Sequence, residues 1–248
     1  MALQEEIEQQ GNVLFKYRSY LPILLLLVGF VVYGYDRLHQ QQGIGNLMLV
    51  ENVAILVSLL GLLIRVITVG YTPQNTSGRN TKRQVAETLN TEGIYATVRH
   101  PLYVGNFFMY LGIAILTNNF YFIIIFILVF WLYYERIMFA EEQFLRRKFG
   151  TVYTDWAAKT NAFIPNLQHW KQANLAFSWK KVVKKEKNGL VAVFLVFFLF
   201  QIIGNYVEQG SFVLEHNWLT YATLLSGILY LILKFVKKRT NLLDETGR

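Results

Sequence analysis

Two short runs combine ionisable side chains with apolar flanks. The first is Gly93-Ile-Tyr-Ala-Thr-Val-Arg-His-Pro-Leu-Tyr-Val-Gly105. Pro101 suits the first position of a helix, where no amide donor is needed. Arg99 and His100 then precede that helix, and its partial positive N-terminus adds to the arginine charge. Such a place favours an anion: a carboxylate, a phosphate or a lipid headgroup. Gly93 and Gly105 allow close backbone approach. Interface anchoring, with Arg99 snorkelling to the headgroups, accounts for the same residues and stands as the alternative. The second run is Glu135 to Gly150, ERIMFAEEQFLRRKFG. It reads as an amphipathic helix, with Ile137, Phe139, Ala140, Phe144 and Phe149 toward lipid or protein and Arg146, Arg147 and Lys148 toward headgroups. Glu135, Met138 and Glu142 share one helical face. Carboxylates at an anionic surface call for salt bridges to Arg99, Arg136 or Arg146, or for a cationic ligand.

These runs must be held by membrane helices. The 248 residues are 54% hydrophobic and 16% charged, against about a quarter charged in soluble domains. Apolar stretches run from Tyr20 to Tyr35, Leu47 to Tyr71, Tyr103 to Leu116, Phe120 to Tyr134, Gly189 to Tyr206 and Trp218 to Val236. Crossing a ~30 Å core takes about 20 helical residues. The third and fourth stretches are short and turn at Asn118-Asn119, so they read as a tight transmembrane hairpin, with a re-entrant pair as the alternative. Either form returns the chain to its starting side and brings the two charged runs together. Of the 24 Lys and Arg, only Arg37 falls on the opposite side and only Arg65 deep within a span, with Lys234, at the end of the last stretch, counted with the C-terminal tail. That asymmetry sets both termini and the chemical face in the cytoplasm. Tyr and Trp near the span ends form the interfacial belt. The expected fold is therefore all-α: a polytopic membrane protein of about six helices, N-in and C-in.

Composition also excludes classes. With no cysteine there is no disulfide, thiolate site or cysteine nucleophile. His39, His100, His169 and His216 lack metal-ligand spacing, so no metal is expected. In so apolar a chain a net charge of +8 points to the bilayer surface, and no nucleic-acid partner is expected. The acidic opening MALQEEIEQQ does not suit a cleavable signal. Glu51 and Arg65 lie in one span about 21 Å apart and cannot pair. Glu51 suits the outer interface. Arg65 either snorkels or meets an anion in the cofactor pocket or on a lipid acceptor.

The order of elements resembles the isoprenylcysteine carboxyl methyltransferase and phospholipid methyltransferase family. The carrying motifs are RHPLYVG at Arg99–Gly105, Glu-Glu-x-Phe at Glu141–Phe144, Phe-Gly-x-x-Tyr at Phe149–Tyr153, and Phe163–Pro165. Gly93, Tyr95 and Arg65 fit upstream. The resemblance covers about residues 55–167. It implies S-adenosylmethionine as cofactor, bound on the cytoplasmic side, and a lipid or lipid-linked methyl acceptor. Carried over, Tyr95, Val98, Arg99, His100, Tyr103, Gly105, Glu141 and Glu142 form the cofactor site, with Arg99, His100 and Arg65 as catalytic candidates. Glu141 or Glu142 suits the cofactor ammonium or ribose, Arg99 and His100 suit a carboxylate, and Tyr103 suits the sulfonium. A carboxylate or phosphate acceptor needs no base, whereas an amine does, with His100 the candidate.

The organisation expected is an N-terminal segment with the first span (1–46), a methyltransferase-like core (47–170), and a basic linker, WKKVVKKEKNG, with two C-terminal spans (171–248). Beyond Pro165 the chain departs from the shorter family members. The linker reads as positive-inside charge. Two other functions compete with this one: a nicotinamide-dependent sterol-type membrane reductase and a non-enzymatic transporter or scaffold. The motifs favour the methyltransferase. No paired helix breaks suggest a transporter.

Overall fold

The structure is a computed structural model describing residues 2–74, 76 and 84–247. Arg79, Lys82, Arg83 and Arg248, which count toward the cytoplasmic side, lie outside the described residues. Among the described residues there are eight α-helices: α1 Leu3–Lys16, α2 Tyr20–Leu38, α3 Leu47–Tyr71, α4 Pro101–Leu116, α5 Phe120–Phe149, α6 Thr151–Ala157, α7 Trp179–Gln209 and α8 Trp218–Arg239. Five of them, α2, α3, α5, α7 and α8, are long and apolar enough to cross a membrane. The sixth apolar helix, α4, has 16 residues, or about 24 Å of rise. The chain is an all-helical, polytopic membrane protein.

Side-chain caps start the long helices. Asn46, Asn119, Ser178 and Asn217 each accept a bond from a backbone N–H in the first turn of α3, α5, α7 and α8. The tip of the α4–α5 hairpin reaches the end of the bundle where α2 and α3 connect. At its tip, Ile44 N–H donates to the Asn118 carbonyl (3.1 Å) and Asn118 Nδ2 donates to the Gly45 carbonyl (3.3 Å). Asn119 Nδ2 donates to Asp36 at the end of α2 (2.7 Å). The tip therefore sits level with the α2–α3 connection. Arg37, at the same end, bonds Glu208 of α7 and Tyr33. Glu51 lies 3.9 Å from Arg37.

Two aromatic and aliphatic cores hold the bundle. Phe122, Phe126, Phe130 and Tyr134 form one face of α5 at four-residue spacing and pack with Phe15 and Tyr103. Ala54, Ile55 and Leu62 of α3 pack with Met109 of α4, Tyr33 of α2 and Val193, Phe197 and Phe200 of α7. Where α3 crosses α4, glycines bring the backbones together. A Cβ at Gly61 would lie 2.4 Å from the Met109 nitrogen, and one at Gly112 2.3 Å from the Ala54 oxygen. Small residues at such crossings let membrane helices gain close van der Waals contact.

Two expectations change. The run Glu135–Gly150 is not a separate amphipathic helix: it continues the span as one helix, because no Gly or Pro interrupts Phe120–Phe149. Gly150, at φ 55, ends it. The basic run 179–189 is not a linker but the first turns of α7. There Lys181, 5% exposed, donates from Nζ to the carbonyls of Thr72 (2.5 Å) and Pro73 (3.0 Å) just past the end of α3, where cations are favoured. The acidic N-terminus forms α1, which lies along the C-terminal half of α5. Glu8 pairs with Arg147 and Gln10 with Arg136. A Cβ at Gly11 would meet the Arg136 oxygen at 2.1 Å.

Candidate active site

The first charged run is shaped by its glycine and proline. Gly93, at φ 59, opens a 3-10 turn at Ile94–Ala96 and donates its N–H to the Lys171 carbonyl (2.9 Å). Residues 97–100 then run beside 161–166. Arg99 N–H donates to the Asn161 carbonyl (2.8 Å), His100 N–H to Ala162 (3.2 Å) and Asn166 N–H to Thr97 (2.9 Å). Pro101 starts α4 at its first position, as its fixed φ and missing N–H allow.

The C-terminal end of α5 closes the site from the other side. Arg99 Nε and Nη2 donate to the two oxygens of Glu142 (2.8 and 3.2 Å). Arg99 Nη1 donates to the carbonyls of Ala157 and Thr160, each at 2.7 Å. His100, 7% exposed, places Nε2 2.9 Å from Glu142 and Nδ1 3.6 Å from Glu141. Its ring stacks on Tyr103, with centroids 5.7 Å apart. Four of the five guanidinium N–H groups of Arg99 are therefore engaged by protein acceptors. Arg99 ties α5 to the loop after α6, and both ring nitrogens of His100 face carboxylates.

A cavity of about 250 Å³ lies inside this frame. Tyr95, Arg99, His100, Tyr103, Glu141 and Arg65 all line it. Val98, Gly105 and Glu142 do not: Val98 is fully buried, and Glu142 stands behind Arg99 and His100. Gly105 works through space, since a Cβ there would lie 2.5 Å from Arg65 Cγ. The motif glycine thus makes room for the arginine stem. Burial, reinforced by the nearby Glu141 carboxylate, pushes the Tyr95 phenol well above its ordinary range, so the hydroxyl keeps its proton and can donate.

Sequence reasoning missed several lining residues. Phe15 and Arg18 reach the cavity from the end of α1, Asn106 from α4, and Lys185 and Glu186 from α7. The one signal for Glu186 is that it is the sole acid in WKKVVKKEKNG. Arg65 neither snorkels nor stays alone. Its Nε and Nη2 donate to the two oxygens of Glu186 (2.8 and 2.9 Å), and Nη1 donates to Asn106 Oδ1 (2.6 Å). Among the described residues, no group of His, Asp and Glu is arranged to hold a metal ion.

Residues 47–152 match the phospholipid methyltransferase family. Over 84 residues the chain is 40% identical to a protein-S-isoprenylcysteine O-methyltransferase of Schizosaccharomyces pombe, covering 34% of this chain and 36% of that protein. The like-named protein of Tribolium castaneum is 29% identical over 135 residues, 52% of this chain and 46% of the relative. A nickel-cobalt-cadmium resistance protein, NccN, of Alcaligenes xylosoxydans xylosoxydans is 38% identical over 79 residues, 32% of this chain and 37% of the relative. The chain thus spans between about a third and a half of the length of these relatives. No solved structure matches. Arg65, Arg99, His100, Glu141 and Glu142 all fall inside the segment that is similar to the phospholipid methyltransferase family.

Proposed function

We propose that this protein transfers a methyl group from S-adenosylmethionine to a lipid or lipid-linked acceptor, at the cytoplasmic face of its membrane. The observation that carries the reading is the cavity lined by Glu141, Tyr95, Tyr103 and His100 within the family segment. Its lining suits the cofactor. S-adenosylmethionine carries an ammonium and a sulfonium, which call for a carboxylate and for aromatic faces. Glu141 provides the first, Tyr103 and Tyr95 the second, and the tyrosine hydroxyls add hydrogen-bond donors. Bound there, the cofactor supplies an electrophilic methyl group. The protein's part is to hold donor and acceptor in line, which accounts for much of the acceleration in such displacements.

The surroundings of His100 favour an acceptor that is already deprotonated. A general base must turn a lone pair toward the substrate. Nε2 of His100 is engaged by Glu142, and Nδ1 faces Glu141. The ring is thus a positioning group, and a lipid-borne carboxylate or phosphate is preferred over an amine. Arg65, which lines the same cavity, is the group to meet it. Nothing observed favours a nicotinamide-dependent reductase, and the relatives above that are named as enzymes are methyltransferases. Transfer of a labelled methyl group from S-adenosylmethionine into the lipid fraction tests the reading.

The charge asymmetry supports a cytoplasmic site. The absence of cysteine makes orientation easy to measure. In intact cells or spheroplasts, Gln41→Cys, in the exposed α2–α3 connection, is expected to react with an impermeant maleimide. Gln172→Cys, at the opposite end, is expected to react only after permeabilisation. The reverse pattern would move the site to the other face.

A further inference from the structure

The family segment ends at residue 152, yet the cavity does not. Its far wall comes from α7, where Lys185 and Glu186 line it beside Arg65 and Asn106. Glu186 is 5% exposed. A carboxylate in that setting is costly unless fully paired, and here both oxygens accept from one guanidinium. Helix α7 is fixed in register by its own contacts. Ser178 N–H bonds the Gly70 carbonyl (3.0 Å), and Lys181 holds the end of α3. Gly189 lets α7 approach closely, since a Cβ there would meet Leu62 at 3.1 Å.

A guanidinium has five N–H groups. Glu186 and Asn106 take three of those on Arg65. One on Nη1 and one on Nη2 remain beside the cavity. Left alone, a long arginine side chain samples many rotamers. Clamped on two sides, it presents its remaining donors in one place.

We infer that Glu186 is a positioning residue for methyl transfer: it holds Arg65 so that the guanidinium receives an anionic oxygen of the acceptor headgroup, making α7 part of the acceptor site. This rests on the function proposed above. The alternative for Glu186 is bundle stability alone.

Kinetics of purified protein in lipid nanodiscs separate the two. The probes are N-acetyl-S-farnesylcysteine as a carboxylate acceptor, phosphatidylethanolamine vesicles as an amine acceptor, and S-adenosylhomocysteine as the cofactor-site ligand. Glu186→Gln keeps the volume and removes the charge. It is expected to raise KM for the farnesylcysteine about tenfold, with kcat and the S-adenosylhomocysteine Kd within about twofold. Glu186→Asp is expected to recover part of the loss. An unchanged acceptor KM in both Glu186→Gln and Glu186→Ala, with S-adenosylhomocysteine still bound, would overturn the inference. So would a parallel fall in cofactor-site affinity, the mark of a stability role, or methylation of the phosphatidylethanolamine alone. Wild-type protein that binds S-adenosylhomocysteine poorly and methylates neither probe would instead defeat the proposed function, and this inference with it.

Discussion

Glu142→Ala is expected to abolish measurable methyl transfer and to loosen the end of the fold that holds the site, although Glu142 does not line the cavity. Its carboxylate accepts from Arg99 through two donors and sits 2.9 Å from His100 Nε2. Removing it strands the Arg99 guanidinium, 18% exposed, with only the Ala157 and Thr160 carbonyls. Breaking a buried pair by deleting one partner costs about 3–5 kcal/mol. Partial exposure here places the cost toward the lower end. His100 loses the anchor on one ring nitrogen, so the face it turns to the cavity is no longer fixed. Misplacing such an orienting group can lower activity by about 100-fold even when the fold holds. The two effects separate in Glu142→Gln, which keeps the volume and one acceptor. It is expected to retain the fold, by thermal unfolding in detergent, while losing on the order of 100-fold in rate. New protease cleavage between residues 157 and 166 in Glu142→Ala would report the release of the Arg99-bound loop. Full activity in both variants would show that the Arg99–Glu142–His100 cluster is unrelated to the chemistry.

The second large effect is steric and lies in the membrane. A side chain at Gly61 would enter the α3–α4 crossing, where its Cβ meets the Met109 nitrogen at 2.4 Å and the Gly105 oxygen at 2.5 Å. Both obstacles are backbone, so no rotamer change relieves them. Overpacking of this kind costs about 1–3 kcal/mol when neighbours can shift. Here the helices themselves must part, which also moves Gly105 and Arg65. Gly61→Ala is expected to lower the unfolding temperature clearly, and Gly61→Leu to prevent assembly. By contrast, a Cβ at Gly227 in α8 would meet nothing within 4 Å. Gly227→Ala is therefore expected to change stability by less than about 0.5 kcal/mol. Equal tolerance at both glycines would contradict the close α3–α4 crossing.

The parts legible in the sequence are those written locally. Span α3 is bounded at Leu47 and Tyr71 as its hydropathy indicates, because a long apolar run can only be helix in lipid. Asn118 and Asn119 mark the hairpin turn, and the hairpin unites Arg99–His100 with Glu141–Glu142 as its geometry demands. Two features escape a sequence reading because lipid-facing and protein-facing positions look alike in composition. The helix α5 keeps going past Tyr134 with no breaker, so its change from apolar to charged marks the membrane surface rather than a new element. The basic turns of α7 look like topology signals, yet Lys181 secures the end of α3 and Glu186 enters the cavity. The Arg65–Glu186 pair joins residues 121 positions apart, a separation that no local periodicity encodes. The docking of α1 through Gly11 is hidden for the same reason, since the close contact is with α5 far along the chain.

Methyl transfer to a lipid or lipid-linked acceptor is tested by following the methyl group itself. Membranes with wild-type protein, with Glu142→Gln and without the protein are incubated with S-adenosylmethionine labelled at its methyl carbon. The lipid and lipid-linked fractions are then compared. The expected result is a labelled species that depends on the wild-type protein, is strongly diminished with Glu142→Gln, and loses its label as methanol on mild alkaline hydrolysis if the acceptor is a carboxylate. Label distributed identically in all three membranes, while the purified protein fails to bind S-adenosylhomocysteine, would contradict it.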